Sequence, residues 1–142
     1  MSASVNGTLA PGNSVGTFHV ADTLTLAGTA VFELNAPGTS DEVVDITTLT
    51  YGGNLKVTLA SGEFAGGQSW DLFDCSSQSG TFLNDATFGT SGDDTLLPTL
   101  SAGNTWNFDD DTGTLSIIPE PSAWALVAFG LLGAWVLGRR RR

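Results

Sequence analysis

The chain carries 15 acidic residues, and three short clusters of them bring several carboxylates close together in the sequence. Carboxylate oxygens are the ligands that Ca²⁺ prefers, so each cluster is a candidate calcium site. None has the spacing of an EF-hand loop or a nonapeptide repeat, and solvated turns that protect strand edges are the favoured interpretation. We therefore predict no metal site. The clusters are Asp41, Glu42 and Asp45; Asp93 and Asp94; and Asp109, Asp110 and Asp111.

The third cluster ends in Asp111-Thr112-Gly113, the triplet with which aspartic proteases present one of two carboxylates that share a proton. Such a protease needs a second triplet or a homodimer. It also needs apolar residues before the triplet, where this chain has Asp109 and Asp110. The segment instead predicts a hairpin turn between two strands, with Gly113 at a positive φ.

Other reactive side chains are few. Single copies of cysteine and histidine exclude an internal disulfide framework and a Cys/His zinc cluster. We expect Cys75 to pack as a small apolar group beside Trp70 and Phe73, and His19 to face solvent from a strand. Trp70 and Trp106 could stack on sugars if exposed, although core packing is the simpler interpretation. No catalytic set is complete, so we predict neither an enzyme nor a cofactor.

The segments that would position these residues are strands. Apolar residues alternate with polar ones at a period of two, and residues 1–118 show no spacing typical of an amphipathic helix. The denser run Val43 to Ile46 is typical of a strand covered on both faces. Turn chemistry such as Gly52-Gly53 and Gly66-Gly67 separates the runs. The alternating sets are Phe18 and Val20; Leu24 and Leu26; Val31 (or Phe32) and Leu34; Leu49 and Tyr51; and Leu55, Val57 and Leu59.

A weak internal repeat runs through these strands. Gly-Thr opens a segment at Gly7-Thr8, Gly16-Thr17, Gly28-Thr29 and Gly38-Thr39, every 9 to 12 residues, which is the length of one strand and one turn. That period fits either the coils of a β-solenoid, with glycine at corners, or a β-sandwich-like body of short strands. The residues leave both architectures open, and the fold class is all-β.

The body of the chain is strongly acidic. Residues 1–118 hold 14 acidic residues against one base, Lys56, a net charge of −13 that would repel phosphate backbones and argues against nucleic acid. Met1 to Gly7 has neither the basic residues nor the apolar run of a secretory signal. Because Asn6-Gly7-Thr8-Leu9 already resembles a repeat unit, we expect residues 1–118 to be one extracytoplasmic all-β body that is truncated at its N-terminus.

The last 24 residues have a different composition. Ala123 to Gly138 is an uncharged apolar stretch, and with Ser122 it would form a helix about 25 Å long at about 1.5 Å per residue. That is short for a bilayer core, but arginine side chains can reach outward to the interface. Trp124 and Trp135 lie near the two ends, where indole rings prefer the membrane interface. The sequence predicts one C-terminal transmembrane α-helix with a cytoplasmic charge anchor of Arg139, Arg140, Arg141 and Arg142.

The charges predict the orientation of this helix. Positive residues are retained on the cytoplasmic side, so Arg139 to Arg142 would stay in the cytoplasm while the acidic body lies outside it. A tail-anchored membrane protein with a cytoplasmic body is the alternative, because no signal peptide begins the sequence. That alternative would have to carry the arginines across the membrane.

Pro119-Glu120-Pro121, the apolar span and the terminal arginine run occur in an order that resembles the PEP-CTERM sorting domain of exported proteins of Gram-negative bacteria. The resemblance covers residues 119–142. It implies that exosortase, a membrane-embedded cysteine transpeptidase-like enzyme, cuts near the motif while the helix holds the chain in the inner membrane. Pro119, Glu120 and Pro121 would then be a sorting motif, and the body would pass to the cell surface or extracellular matrix.

The body has a less specific resemblance. Gly7 to Ser14 and Leu24 to Gly28 resemble the autotransporter-associated β-strand repeats of secreted passenger domains. Leu97 to Ser116 resembles the segment that commonly precedes a PEP-CTERM tail. No C-terminal membrane barrel follows, so self-driven secretion across the outer membrane is not implied.

Together these features predict an exported structural protein of the cell surface or extracellular matrix. Its expected partners are the inner membrane and exosortase, with an exopolysaccharide as a further candidate. A secreted carbohydrate-binding, lectin-like module is the alternative function for the body.

Overall fold

The computed structural model describes residues 2–84, 96–121 and 130–133. Their regular structure consists of twelve strands and a short helical piece at 130–133. The prediction of an all-β body is confirmed. The strands are β1 (Ala3–Val5), β2 (Thr8–Leu9), β3 (Thr17–His19), β4 (Thr23–Leu26), β5 (Thr29–Asn35), β6 (Thr39–Ser40), β7 (Glu42–Thr50), β8 (Asn54–Ser61), β9 (Ser69–Asp71), β10 (Phe73–Ser79), β11 (Asn104–Asp109) and β12 (Thr114–Pro119).

Parallel pairing decides between the two architectures that the sequence left open. One sheet has the order β1-β4-β7-β10, with β3 beside the first part of β7, and all of its pairs are parallel. In a second sheet, β5 pairs in parallel with β2 and β8. Along the chain β1, β2, β4, β5, β7, β8 and β10 alternate between the two sheets, and the short β3 is an additional strand of the first sheet. A sandwich of short strands is instead antiparallel. The body is therefore β-solenoid-like.

Glycines at the corners allow successive coils to stack closely. A Cβ on Gly28 would lie 1.8 Å from the carbonyl oxygen of Gly7, and a Cβ on Gly53 would lie 1.7 Å from that of Gly28. Only a residue without a side chain fits at such a distance. The N–H groups of Thr29 and Asn54 donate to the same two carbonyl oxygens, at 2.8 and 2.9 Å. Gly7-Thr8 and Gly28-Thr29 therefore lie at equivalent corners of successive coils, two periods of the Gly-Thr repeat apart, and Gly53-Asn54 takes the same place in the next coil.

Alternate residues of the strands fill the space between the two parallel sheets. Leu24 of β4 and both Phe32 and Leu34 of β5 are buried, and each contributes about 1.5–3 kcal/mol through the apolar area removed from water. The sheets meet in this core, since the ring centroid of Phe32 lies 5.0 Å from that of Phe73 in β10. Of the two residues that could start the alternation in β5, Phe32 points inward and Val31 is only half-buried.

Parts of the predicted alternation are wrong. Phe18 is 42% exposed, because β3 is a three-residue strand whose residues are all exposed. Leu59 is 40% exposed, and the register of β8 against β5 shifts directly after it. The run Val43 to Ile46 is not covered on both faces. A bulge at Asp45, with a φ of 63°, turns both Val43 and Ile46 inward and leaves Asp45 exposed.

A third, antiparallel sheet closes one end of the solenoid. Its order is β11-β12-β9, and it adds buried side chains such as Trp70, Trp106 and Ile117 to the core. A solenoid needs such a cover, because the last coil would otherwise expose its apolar interior. The cover is packed through aromatic rings whose centroids lie between 5.2 and 6.4 Å apart. These rings belong to Tyr51, Phe73, Phe82 and Phe108.

After Pro121, the description is limited to residues 130–133, which are helical and exposed. Within the described ranges, no helix has the length and hydropathy needed to cross a bilayer. The transmembrane helix of the predicted fold class therefore stays a prediction. Its residues and those of the charge anchor lie outside the described residues: Ala123, Trp124, Trp135, Gly138, Arg139, Arg140, Arg141 and Arg142.

Candidate functional site

The predicted sorting motif begins inside the last strand of the body. Pro119 is the final residue of β12 and lies opposite Asn104 in β11. The N–H of Glu120 continues this pairing by donating to the carbonyl oxygen of Gly103 at 2.7 Å. Pro121 follows directly and is exposed. The motif is thus joined to the folded body without an intervening linker.

A proline fits at position 119 because no N–H is needed there on the side of β11. Antiparallel pairs alternate between hydrogen-bonded and non-hydrogen-bonded positions, and the bond from Glu120 to Gly103 puts Pro119 at a non-bonded position. The N–H of Asn104 accordingly donates to the carbonyl oxygen of Ser101 at 3.2 Å, within its own loop. The missing N–H of proline therefore costs the β11–β12 pair nothing.

A glycine loop holds the other side of the strand end. The N–H of Gly67 donates to the carbonyl oxygen of Ile117 at 2.8 Å, on the edge of β12 that faces away from β11. A Cβ on the preceding Gly66 would lie 2.8 Å from Cγ of Pro119 and 2.5 Å from Oδ1 of Asn104. Any side chain at position 66 would therefore displace both of these neighbouring side chains.

The side chains of the motif are accessible while its backbone is engaged. Pro119, Glu120 and Pro121 are all exposed, and Ile118 before them is 43% exposed. A protein that recognises the motif can therefore contact these side chains on the folded body. A protein that needs the backbone must first separate the end of β12 from β11.

The first acidic cluster is part of the hydrogen bonding of the fold. Asp41 is 1% exposed, and its two carboxylate oxygens accept the N–H groups of Gly16 at 2.9 Å and Glu33 at 2.7 Å. These bonds compensate for the lost hydration of the buried charge. Asp41 therefore ties the loop before β3 to β5, and its oxygens are occupied by the backbone.

The other described carboxylates that were considered as calcium ligands, and for which the sequence predicts no metal site, are not arranged around a common point. Burial, and then the charges of Asp71 and Asp74, raises the pKa of Glu42. Asp93 and Asp94 lie outside the described residues. Among the residues that the structure describes, no group of three or more histidine, cysteine or acidic side chains is arranged to hold a metal ion.

The third acidic cluster forms the turn between β11 and β12. A carboxylate oxygen of Asp109 accepts the N–H of Asp111 at 2.9 Å, and the carbonyl oxygen of Asp109 accepts the N–H of Gly113 at 2.8 Å. Gly113 has a φ of 71°, as predicted, and a Cβ there would lie 2.5 Å from the carbonyl oxygen of Phe73. The Asp-Thr-Gly triplet is therefore a hairpin turn, and the prediction of a hairpin at this position is confirmed.

The two tryptophans of the body, Trp70 and Trp106, are core residues. The interpretation that they pack in the core is confirmed, and the alternative that they stack on sugars is wrong. Trp70 and Trp106 are 1% and 6% exposed, with centroids 6.1 Å apart. The indole N–H of Trp70 donates to the carbonyl oxygen of Asn35 at 3.0 Å, and that of Trp106 to the carbonyl oxygen of Pro98 at 2.9 Å. Buried indoles with satisfied N–H groups present no face to a glycan.

His19 and Cys75 do not share a site. His19 is exposed, as predicted, and its Nδ1 lies 2.6 Å from Oδ2 of Asp45. The sequence did not reveal this partner, because the pairing of β3 with β7 brings the two residues together. Cys75 is half-buried at the core margin, and its thiol donates to Oε1 of Gln78 at 3.4 Å. Burial and the charge of Asp74 raise the pKa of this thiol, which disfavours the reactive thiolate.

Sequence reasoning missed the residues that hold the motif against the body. Gly66 was recognised only as part of a turn, and Gly103 and Asn104 gave no signal. Their role depends on the register of β12 against its two neighbours, which local patterns do not encode. A proline at a strand end beside a glycine loop is the signal that could have found them.

Comparison with protein families matches residues 118–142 to the PEP-CTERM protein-sorting motif. No curated protein and no solved structure matches the chain. The matched range starts at Ile118, inside β12, and continues to Arg142. Residues 118–142 are therefore a PEP-CTERM sorting motif attached to a β-solenoid-like body, which implies an exported, cell-surface-directed protein that exosortase processes.

Proposed function

We propose that this chain is a structural protein of the cell surface or extracellular matrix that is tethered in the inner membrane and then processed by exosortase. The observation that carries the proposal is the match of residues 118–142 to the sorting motif at the end of a β-solenoid-like body. A solenoid builds an extended surface by stacking similar coils, each of which contacts only its neighbours. Such a body is suited to display or to building a matrix.

The tail acts as a temporary anchor in this proposal. Ala123 to Gly138 spans the bilayer as a helix, with Trp124 and Trp135 at the two interfaces. Arg139 to Arg142 stay in the cytoplasm and fix the orientation, because positive flanks are not translocated. Pro119, Glu120 and Pro121 are read by exosortase on the outer side, and residues 1–118 are the domain that is released.

The body has a structural role without catalysis in this proposal. Its conspicuous polar groups are used by the fold: Asp41 binds two backbone N–H groups, and Asp109 caps a hairpin turn. The net charge of −13 over residues 1–118 keeps the displayed surface strongly hydrated. An exopolysaccharide of the matrix is the candidate partner outside the cell.

The sorting step is tested by expressing the full chain with and without exosortase and following its size in cell fractions. We expect a shortened, surface-associated form only when exosortase is present. Glu120→Ala should abolish the shortening, whereas Asp74→Ala, which alters another exposed acidic residue, should leave it intact. Shortening that is independent of exosortase, or equal in the two variants, would contradict the proposal.

The orientation is tested with protease added to intact spheroplasts that lack exosortase. We expect the body to be digested, because it lies outside the inner membrane. A tail-anchored protein would keep its body in the cytoplasm and protect it. Protection of the body until the spheroplasts are lysed would therefore favour that alternative.

A further inference from the structure

The sorting motif has almost no slack between the body and the apolar run. The N–H of Glu120 is bonded to Gly103, and the first residue of the run is Ala123, three residues further on. Three extended residues span about 10 Å. While that hydrogen bond is in place, an enzyme that acts at the membrane surface meets the motif pressed against the folded body.

One recurring way for an enzyme or receptor to bind an extended peptide is to hold its backbone through main-chain hydrogen bonds, as an added strand. The backbone at the start of this motif already makes such bonds to β11. Pro119 is paired opposite Asn104, and Glu120 donates to Gly103 at 2.7 Å. The two sets of bonds compete for the same strand end.

We propose that the body itself gates processing: the loops 62–67 and 101–103 hold the start of the sorting motif as a latch, and the end of β12 must separate from β11 before exosortase can cut. This inference rests on the proposed function and adds regulation to the same site. It identifies Gly66 and Gly103, which lie outside the motif, as residues that set the rate of processing.

The latch is built to open locally. The ladder toward the glycine loop reaches Ile117, through the N–H of Gly67 at 2.8 Å. Beyond that point the motif is held to β11 by the pairing of Ile118 with Thr105 and by the hydrogen bond of Glu120, and to the glycine loop by the ring of Pro119 against Gly66. Strand ends with few bonds and exposed side chains open at much lower free energy than the core. Separation of residues 118–120 therefore does not require the body to unfold.

Substitution at Gly66 loosens the latch without touching the motif. An alanine Cβ would meet Cγ of Pro119 at 2.8 Å and Oδ1 of Asn104 at 2.5 Å, so the proline ring and the asparagine side chain must shift, which weakens the packing that holds the strand end. Because the open fraction limits the apparent affinity of the enzyme, Gly66→Ala should be cut several-fold faster than the parent chain. Gly7→Ala is the matched control, since its Cβ would meet nothing within 4 Å.

Ser101→Ala is a milder second variant, because it removes the hydroxyl that accepts from the Asn104 amide at 2.9 Å.

The experiment combines amide hydrogen exchange on the full chain in detergent with cleavage rates in cells that express exosortase. We expect the Glu120 amide to be protected in the parent chain and in Gly7→Ala. It should exchange several-fold faster in Gly66→Ala and Ser101→Ala, while the Asn54 amide, which donates to Gly28 at 2.9 Å in a corner of the solenoid, keeps its protection and shows that the body is folded. Cleavage rates should rise in the same order as Glu120 exchange.

Two results would overturn the latch. One is a Glu120 amide that exchanges in the parent chain as fast as an exposed amide. The other is faster Glu120 exchange in Gly66→Ala or Ser101→Ala together with an unchanged cleavage rate. Failure of the proposed function gives a different result: neither the parent chain nor any variant is cleaved, although the Glu120 amide is protected. That result would overturn the gate together with the proposed function.

Discussion

At the scale of single residues, polar groups that resemble a binding site are consumed by the fold. Asp41 is the clearest case, because a carboxylate with 1% exposure binds two backbone N–H groups that belong to distant segments. Sequence alone grouped Asp41 with Glu42 and Asp45 as a candidate calcium site. The role of a buried carboxylate depends on which N–H groups surround it. Tertiary structure determines those groups, so the sequence alone does not reveal them.

Removal of the Asp41 carboxylate should destabilise the body. Asp41→Ala leaves the part-buried N–H groups of Gly16 and Glu33 without an acceptor. Because neither is fully buried, each should cost about 1–2 kcal/mol, the lower part of the usual range, so we expect a loss of about 2–4 kcal/mol. The measurement is the free energy of unfolding in urea. Asp74→Ala, at an exposed acidic residue, is the control and should change it by less than about 0.5 kcal/mol. Equal effects of the two substitutions would contradict the structural role of Asp41.

Tyr51 gives a pH-dependent signal of its own, because it is the single tyrosine of the chain. It is 4% exposed, its hydroxyl has no hydrogen-bond partner among the described residues, and burial strongly raises its pKa. The unfolded phenol ionises near its ordinary value of 10.0. The unfolded state therefore binds fewer protons above that pH, and stability falls as the pH rises through it.

We predict that the phenolate absorbance of Tyr51 develops only as the body unfolds in alkali. Tyr51→Phe removes an unsatisfied buried hydroxyl, so it should be at least as stable as the parent chain and lose less stability above pH 10. Absorbance and circular dichroism recorded together during an alkaline titration provide the measurement. Ionisation near pH 10 with the circular dichroism unchanged would contradict the buried position of Tyr51.

At the scale of elements, strands were predictable and their partners were not. Alternation identified β4 and β8, because inward residues such as Leu24 and Leu55 recur at a period of two. Parallel pairing joins strands whose separation along the chain spans a whole coil, and a period of two carries no information about that. The bulge at Asp45 escaped for the same reason, since an inserted residue looks like an apolar run until its partner strand is known.

The stacked corners make a sharp prediction about glycine. Gly53→Ala should destabilise the body by about 3 kcal/mol, because the left-handed conformation costs roughly 1–2 kcal/mol and overpacking roughly 1–3 kcal/mol. Gly53 has a φ of 62°, and its Cβ would lie 1.7 Å from the carbonyl oxygen of Gly28. Gly7→Ala is the control and should change stability by no more than about 1 kcal/mol. Thermal and urea unfolding of both variants decide the matter, and similar midpoints would refute the stacked corners.

At the scale of the whole molecule, sequence and structure inform different parts. The tail was predictable because motif, apolar stretch and arginine run lie next to one another in the chain, and the family match at residues 118–142 supports that interpretation. The contact between motif and body was not predictable from the sequence. Gly66 contacts Pro119, and Gly103 accepts from Glu120, only because the fold brings these distant parts of the chain together. The described core ends at Ile117, so we expect the released body to keep the stability of the full chain.

The central claim is that the tail is a processed sorting segment on an exported body. Its most direct test is the intact mass of the protein recovered from the surface of cells that express exosortase, compared with cells that lack it. In cells that express exosortase, we predict the mass of a chain that ends within Pro119 to Pro121. In cells that lack it, we predict the mass of the full chain, including Arg139 to Arg142. The full-length mass in both strains would contradict the claim.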